Sequence, residues 1–148
     1  MIIVSACLAG IKCRYDGKDN LVPEIQKMVL EGKALPLCPE ELGGLPTPRI
    51  SCEIRKINGR NSVVSEKGED LTREFQTGVD KVAKIAQILD CKTAILKSRS
   101  PSCGSDQIYD GSFSGKLIPG KGLCASALKE QGVQLFNEEN FLKEKHKY

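Results

Sequence analysis

The sequence predicts an α/β protein with a Rossmann-like three-layer fold, a mainly parallel four-stranded sheet and one small β-hairpin. Short apolar runs of strand length alternate with longer segments whose apolar residues recur at helical spacing. Such a βαβα alternation is typical of parallel sheets covered by helices on both faces. A chain of 148 residues is the size of one domain with one core, so we assign residues 1–148 to a single domain.

In the first half of the chain, two short apolar runs flank one amphipathic segment. Pro23 suits the first position of the helix between them, and Gly32 is suited to end it. Further on, Asn58-Gly59 separates two runs of β-branched residues, which is a strong signal for a two-residue hairpin turn. The predicted elements are a strand over residues 2–6, a helix over 23–30, a strand over 34–37 and a hairpin over 53–65.

The second half of the chain contains the longest predicted helix, which is indicated by one apolar stripe. The stripe consists of Phe75, Val79, Val82, Ala86 and Leu89. Residues 98–122 are rich in Ser, Gly, Pro and Asp, which predicts a loop, and loops of that length are commonly functional. The other predicted elements are a helix over 72–89, strands over 93–97 and 133–136, a helix over 123–130 and a last helix capped by Asn137.

Composition and charge exclude several classes of function. No run approaches the roughly 20 apolar residues of a membrane-spanning helix, and the N-terminus lacks the basic region of a signal peptide. The net charge of +3 is weak and Trp is absent, so no strong nucleic-acid surface is indicated. We therefore expect a cytoplasmic protein without membrane association, and the oligomeric state is left open.

Cysteine content is the outlying feature of the composition. The count of seven is odd, which argues against a disulfide framework, and no pair has C-x-x-C spacing. The chain has a single histidine, His146, so any metal site must depend on thiolate ligands. Thiolate ligation favours zinc, copper(I) or iron–sulfur clusters.

Three of the cysteines are predicted to meet at one edge of the sheet. Cys7 follows the first strand, Cys38 follows the second, and Cys103 lies in the loop after the third. In open parallel sheets, ligands bind outside the carboxyl ends of the strands. Three ligands leave one metal position open, as in catalytic sites, and spacing alone does not decide between zinc and iron–sulfur. Cys13 is the one competitor, whereas Cys91 and Cys124 are predicted to be small buried hydrophobic residues.

Polar side chains in the same loops are candidates for contacts with a substrate. Glu40 follows Cys38 closely and could act as a general acid or base, whereas Glu41 is expected to be a solvated loop carboxylate. Arg49 ends a rigid proline-containing stretch and could bind a carboxylate, a phosphate or a uracil-like carbonyl, or form a surface ion pair. The further candidates are Arg14, Tyr15, Ser100 and Ser102.

Four blocks of this sequence resemble the thiouracil desulfidase (TudS-like) family, which was long a bacterial family of unknown function. The blocks are residues 5–17, 38–40, 43–49 and 96–104, which read SACLAG…CRYDG, CPE, GGLPTPR and LKSRSPSCG. Their number and order make the resemblance specific, and it extends from Ile2 to about Phe136.

The resemblance implies a [4Fe-4S] cluster bound by Cys7, Cys38 and Cys103, with one iron open to the substrate. It implies a non-redox hydrolysis in which water replaces the sulfur of a thiolated pyrimidine base or nucleoside, giving uracil and hydrogen sulfide from thiouracil. Glu40 and Ser100 correspond to the acid–base pair of the family, and Cys13 stays outside the cluster.

Two other functions compete with this hypothesis. One is a non-catalytic iron–sulfur or zinc thiolate protein that senses metal or oxygen, or transfers sulfur to a partner. It needs the same cysteines but neither Glu40 nor Ser100. The other is a metal-free domain that binds a nucleotide at the edge of the sheet.

Overall fold

Strands and helices alternate along the chain in the computed structural model, which describes residues 1–145 and so leaves His146 outside. In chain order the strands are β1 (Ile2–Ser5), β2 (Ala34–Leu37), β3 (Cys52–Ile57), β4 (Arg60–Ser65), β5 (Thr93–Leu96), β6 (Gln107–Tyr109), β7 (Leu117–Pro119) and β8 (Gln134–Asn137). The helices are α1 (Pro23–Leu30), α2 (Pro39–Leu42), α3 (Thr72–Ile88), α4 (Leu123–Glu130) and α5 (Glu138–Lys145), and a 3-10 turn (Ala6–Ala9) follows β1. Within residues 1–145, no helix has the length and apolar character needed to cross a bilayer.

Four of the strands form one parallel sheet in the order β2-β1-β5-β8. Ile3 of β1 pairs with Leu35 of β2 on one side and with Ala94 of β5 on the other. Because side chains alternate along a strand, Ile3 packs with residues of α3 and α4, while Val4 packs with residues of α1 and α5. Helices thus cover both faces, and the predicted three-layer α/β fold with a four-stranded parallel sheet is confirmed.

Helix α3 packs across one face of the sheet through its apolar stripe. Four predicted residues of the stripe, Phe75, Val79, Val82 and Ala86, are buried. The prediction was wrong for Leu89, since α3 ends at Ile88 and Leu89 caps it at 41% exposure. Phe75 packs against Ile54 and Val63, which attaches the hairpin β3–β4 to the helix.

Two antiparallel hairpins accompany the parallel sheet. The predicted hairpin is confirmed as β3–β4, and its turn residues Asn58 and Gly59 have φ values of 52° and 75°. Such left-handed backbone at both central positions is what a two-residue hairpin turn requires. The prediction of loop throughout residues 98–122 was wrong, because β6 and β7 form a second hairpin there. Ile108 and Ile118 attach it to the apolar cluster around Phe75.

Helix α2 is a short element that the sequence did not predict. Cys38 is its N-terminal cap and Pro39 occupies its first turn, a position that proline favours. The helix lies against α3 at two glycines, where the backbones approach so closely that no side chain fits. A Cβ atom on Gly78 would overlap the carbonyl oxygen of Pro39, and one on Gly43 would overlap that of Glu74. This contact fixes the position of Cys38 relative to the sheet.

Candidate metal centre

A cavity of about 530 Å³ opens at the carboxyl ends of the sheet strands. Ser5 at the end of β1, Leu37 at the end of β2 and Lys97 just after β5 all contribute to its wall. Five of the seven cysteines also line the cavity, namely Cys7, Cys13, Cys38, Cys52 and Cys103. The cavity therefore lies at the edge where parallel α/β sheets bind their ligands.

The three predicted metal ligands reach this cavity from three different elements. Cys7 is in the 3-10 turn after β1, Cys38 caps α2 after β2, and Cys103 lies in the loop after β5. Cys7 and Cys103 are buried and Cys38 is partly buried. The structure thus brings together three thiols that are far apart in the sequence.

Cys13 lies among these thiols and interacts with two of them. Hydrogen bonding to Cys13 lowers the pKa of Cys7 to about 7, although burial acts in the opposite direction. The same type of hydrogen bond lowers the pKa of Cys38, and the backbone N–H of Glu41 adds to this effect against burial. The pKa of Cys13 is raised in turn, because its proton serves both neighbours. Cys7 and Cys38 are therefore easier to deprotonate than a free cysteine.

Cys103 is a buried thiol whose pKa, unlike those of Cys7 and Cys38, is raised. Burial raises its pKa to about 12, and the hydroxyl groups of Ser5 and Ser102 beside the thiol offset only part of that effect. The nearby Cys7 and Cys38 raise it further. A bound metal would reverse this balance, since a coordinated thiol is deprotonated.

A hydrogen-bonded chain of side chains runs beside the thiols. The backbone N–H of Cys103 donates to Ser100 Oγ at 2.7 Å, and the hydroxyl oxygens of Ser100 and Ser102 are 3.1 Å apart. Ser102 Oγ donates to Glu40 Oε2 at 2.8 Å. Ser102 Oγ also lies 3.6 Å from Cys103 Sγ, but the shorter contact is the one to the carboxylate, and while Ser102 donates its single proton there, Ser100 donates to Ser102. The chain therefore leads from Ser100 through Ser102 to Glu40.

Arg49 binds the other oxygen of Glu40. Most of the N–H groups of its guanidinium are used within the protein, so few are left for a substrate. Its Nε donates to Glu40 Oε1 at 3.0 Å. Its terminal nitrogens donate to Thr47 Oγ1 at 2.9 Å and to the Cys13 carbonyl at 2.9 Å. Only 6% of the Arg49 side chain is exposed, so this ion pair is buried rather than on the surface.

Arg14 and Tyr15 contribute to another part of the cavity wall. Arg14 is held by Asp16 at 3.0 Å and by Asn20 Oδ1 at 2.9 Å, and its guanidinium lies 6.0 Å from the centre of the Tyr15 ring. Tyr15 is 46% exposed. The two side chains form a polar and aromatic surface that a planar ring could contact.

Sequence reasoning missed several residues that also line the cavity. Phe113 has a φ of 57°, which is rare for a bulky residue, and its N–H donates to Glu53 Oε1 at 3.1 Å. The N–H of Gly111 donates to the same oxygen at 3.0 Å, so one carboxylate fixes this turn. The only signal for Phe113 was the length of the loop that contains it.

Two cysteines do not line the cavity and are buried, as predicted. Cys91 and Cys124 are buried in the apolar cluster between the sheet, α3 and α4. Burial raises the pKa of both thiols, which keeps them protonated and unreactive. They are small hydrophobic residues of the core.

The donor set of the cavity fits an iron–sulfur cluster. Soft thiolate ligands select iron–sulfur clusters, zinc or copper(I), and Cys7 and Cys38 have lowered pKa values that favour the thiolate form. The volume of about 530 Å³ is in the range of ligand-binding cavities. Cys7, Cys38 and Cys103 could hold such a group from three sides, since each comes from a different element.

The chain is similar to known proteins over nearly its whole length. Residues 2–140 match the model of a family described as 2-thiouracil desulfurase. An uncharacterised protein of Bacillus subtilis (strain 168), YbbK, is 44% identical over 144 residues, covering 93% of this chain and 95% of its own length. The solved structure of a [4Fe-4S]-dependent thiouracil desulfidase, TudS, is similar with a TM-score of 0.87 and 40% identity, over 96% of this chain and 93% of that one.

Proposed function

Since the chain belongs to the 2-thiouracil desulfurase family, we propose that it is a [4Fe-4S]-dependent, non-redox desulfidase. Its substrate is a thiolated pyrimidine base or nucleoside, and water replaces the sulfur to give the oxo base and hydrogen sulfide. One observation carries this proposal: the three proposed ligands and a hydrogen-bonded series of polar side chains line the same cavity. The ligands are Cys7, Cys38 and Cys103, and the polar side chains are Glu40, Ser102 and Ser100.

The proposed cluster ligands are Cys7, Cys38 and Cys103, which leave one iron without a protein ligand. Their thiols approach the cavity from the ends of β1, β2 and β5. When bound, the cluster supplies a thiophilic Lewis acid that polarises the C=S bond of the substrate. The protein supplies the orientation, the exclusion of water and the movement of protons.

Glu40 and Ser100 are the proposed acid–base residues, and Ser102 connects them. Glu40 Oε2 already accepts a proton in a hydrogen bond from Ser102, which accepts one from Ser100. A proton taken from the attacking water at Ser100 can therefore reach the carboxylate without a large movement of either side chain. The second role of Glu40 is to return a proton to the departing sulfide.

Arg49 acts in this proposal as a positioning residue and not as a contact to the substrate. Its guanidinium donates to Glu40, to Thr47 and to the carbonyl of Cys13. Arg14 and Tyr15, whose side chains are more exposed, are better placed to contact the pyrimidine ring.

Anaerobic reconstitution followed by a thiouracil assay tests the proposal. We expect reconstituted protein to contain four irons and four sulfides per chain and to convert thiouracil, measured as loss of thiocarbonyl absorbance and release of sulfide. Cys103→Ala should lose both the cluster and the activity, whereas Cys91→Ala, which removes a buried thiol outside the cavity, should retain both. Full activity in Cys103→Ala would refute the proposed ligation.

A further inference from the structure

Cys13, Cys38 and Glu41 form a compact group of potential ligands that overlaps the proposed cluster site at one residue. The sulfur atoms of both cysteines and a carboxylate oxygen of Glu41 all lie within 4.8 Å of one another. In a tetrahedral zinc site with ordinary bond lengths, such atoms are roughly 3.5–3.8 Å apart. A small movement of the side chains toward one another would therefore place the three ligand atoms at bonding distance from a single zinc ion.

Two of the three ligands are held in place by a side chain outside the set, and the third is the cap of α2. Cys38 caps α2 and Glu41 lies in its first turn, so one short helix carries both. Thr47 Oγ1 donates to Glu41 Oε2 at 2.6 Å, which orients the carboxylate and leaves its other oxygen available. Arg49 donates to the carbonyl of Cys13 at 2.9 Å and fixes that backbone. Outer hydrogen bonds of this kind are a regular feature of metal sites.

The ligand types define the class of cation. Two thiolates and one carboxylate prefer a thiophilic divalent ion such as Zn²⁺ or Cd²⁺ over Mg²⁺ or Ca²⁺, which prefer oxygen ligands. The nearby Arg49 does not repel such an ion strongly, because its charge is paired with Glu40. The fourth position is open to water or to Cys7, whose thiol interacts with that of Cys13.

We propose that, in the cluster-free protein, Cys13, Cys38 and Glu41 bind one thiophilic divalent cation of the zinc class. This site differs from the cluster site, since it uses Cys13 and Glu41 and does not use Cys103. Cys38 belongs to both. Given the cluster ligation proposed above, the cation and the cluster exclude each other, and a bound zinc ion blocks loading of the enzyme.

Titration of the full cluster-free chain with Co²⁺ and Zn²⁺ under reducing, anaerobic conditions tests the site. Co²⁺ should bind at one equivalent per chain and give thiolate-to-metal charge-transfer absorption. Zn²⁺ should displace the bound Co²⁺. The Cys13→Ser and Glu41→Gln substitutions should each weaken binding by at least about 10-fold, since the loss of an outer partner of a ligand already costs about 10–100-fold. Because Glu41 is exposed, Glu41→Gln should fold even if the buried Cys13 does not tolerate substitution.

The Cys103→Ser variant separates this proposal from the proposed function. It should bind Co²⁺ and Zn²⁺ like the unsubstituted protein, although it should fail to assemble the cluster. If Cys103→Ser weakened Co²⁺ binding while Cys13→Ser and Glu41→Gln did not, the cation would be bound by the cluster ligands and the new site would be refuted. In the unsubstituted protein, one equivalent of Zn²⁺ added before iron and sulfide should prevent iron uptake. Iron uptake at the normal rate would show that the cation and the cluster do not exclude each other.

Discussion

Arg49 and Glu40 form a buried ion pair that fixes the carboxylate in one orientation. Arg49 Nε lies 3.0 Å from Glu40 Oε1, and the two side chains are 6% and 15% exposed. The other carboxylate oxygen accepts from Ser102 Oγ at 2.8 Å, and further Arg49 donors bind Thr47 and the carbonyl of Cys13. A desolvated pair is stable only when its remaining donors and acceptors are satisfied. Both oxygens of Glu40 thus accept hydrogen bonds, Oε1 from Arg49 and Oε2 from Ser102.

Replacing Glu40 with glutamine should remove the proposed base while keeping the size of the side chain. We expect the rate of thiouracil conversion to fall by about 10²–10⁴-fold, with unchanged iron and sulfide content after reconstitution. Glu130→Gln, at an exposed position at the end of α4, is the control and should keep the full rate. A Glu40→Gln protein with normal activity would favour the non-catalytic iron–sulfur function, which does not need this carboxylate.

Substituting Arg49 with lysine should show how much the forked geometry of the guanidinium contributes to the stability of the fold. Lysine keeps the charge but cannot reach Glu40, Thr47 and the Cys13 carbonyl together. We expect the free energy of unfolding to fall by about 1–3 kcal/mol, measured by urea denaturation of the cluster-free protein. Arg73→Lys, an exposed arginine on α3, should change it by less than about 0.5 kcal/mol. Equal stability of Arg49→Lys and the parent protein would contradict the importance of the fork.

Because Gly78 contacts α2 closely, we expect a Gly-to-Ala substitution within a helix to destabilise the protein. Alanine normally stabilises a helix relative to glycine by about 1 kcal/mol, but here its methyl group would overlap the Pro39 carbonyl. We expect Gly78→Ala to destabilise the protein by about 1–3 kcal/mol and to reduce iron uptake, since α2 carries Cys38. The control is Thr77→Ala on the exposed face of the same helix. A rise in thermal midpoint for Gly78→Ala would show that α2 moves away at little cost.

Much of the fold was predictable because the chain marks its elements clearly. Pro23 at the first position of α1 and Gly32, which follows the helix with a φ of 73°, explain why its bounds were predicted correctly. An apolar pattern does not show where a helix ends, which is why Leu89 was wrongly placed on the buried stripe. Strands β6 and β7 were missed because three residues are too few to establish a period.

The site was predictable only where the strand-end rule applies. That rule brought Cys7, Cys38 and Cys103 to one edge of the sheet, and all three line the cavity; their ligation of a cluster stays a prediction. The position of Cys13 depends on the path of a loop that has no period. That loop is held by long-range contacts, such as the one from Arg49 to the Cys13 carbonyl, that no local pattern announces.

Glu138 is a second partly buried carboxylate, and it connects the ends of β5 and β8. It accepts from the backbone N–H of Ser98 at 2.9 Å and from Lys97 Nζ at 3.1 Å. Burial alone would raise the pKa of Glu138, but the hydrogen bond from Ser98 and the charge of Lys97 outweigh it, so that its pKa lies below the ordinary value of 4.5. A carboxyl group whose pKa is depressed in the folded state stabilises the fold above its unfolded pKa, and this stabilisation is lost as pH falls through the folded value.

Replacing Glu138 with glutamine should therefore have an effect that depends on pH. At pH 7 we expect the variant to lose about 1–2 kcal/mol of unfolding free energy, because the charged acceptor of three donors is removed. As the pH falls below about 4.5, this carboxyl group is protonated first in the unfolded parent protein and then, at lower pH, in the folded one, so the difference between the two proteins should shrink. Urea denaturation of both cluster-free proteins between pH 7 and the lowest pH at which they stay folded measures this. Glu139→Gln, the exposed neighbour, should show a small difference at every pH, and a Glu138→Gln effect of constant size across the range would mean that packing, and not charge, accounts for the loss.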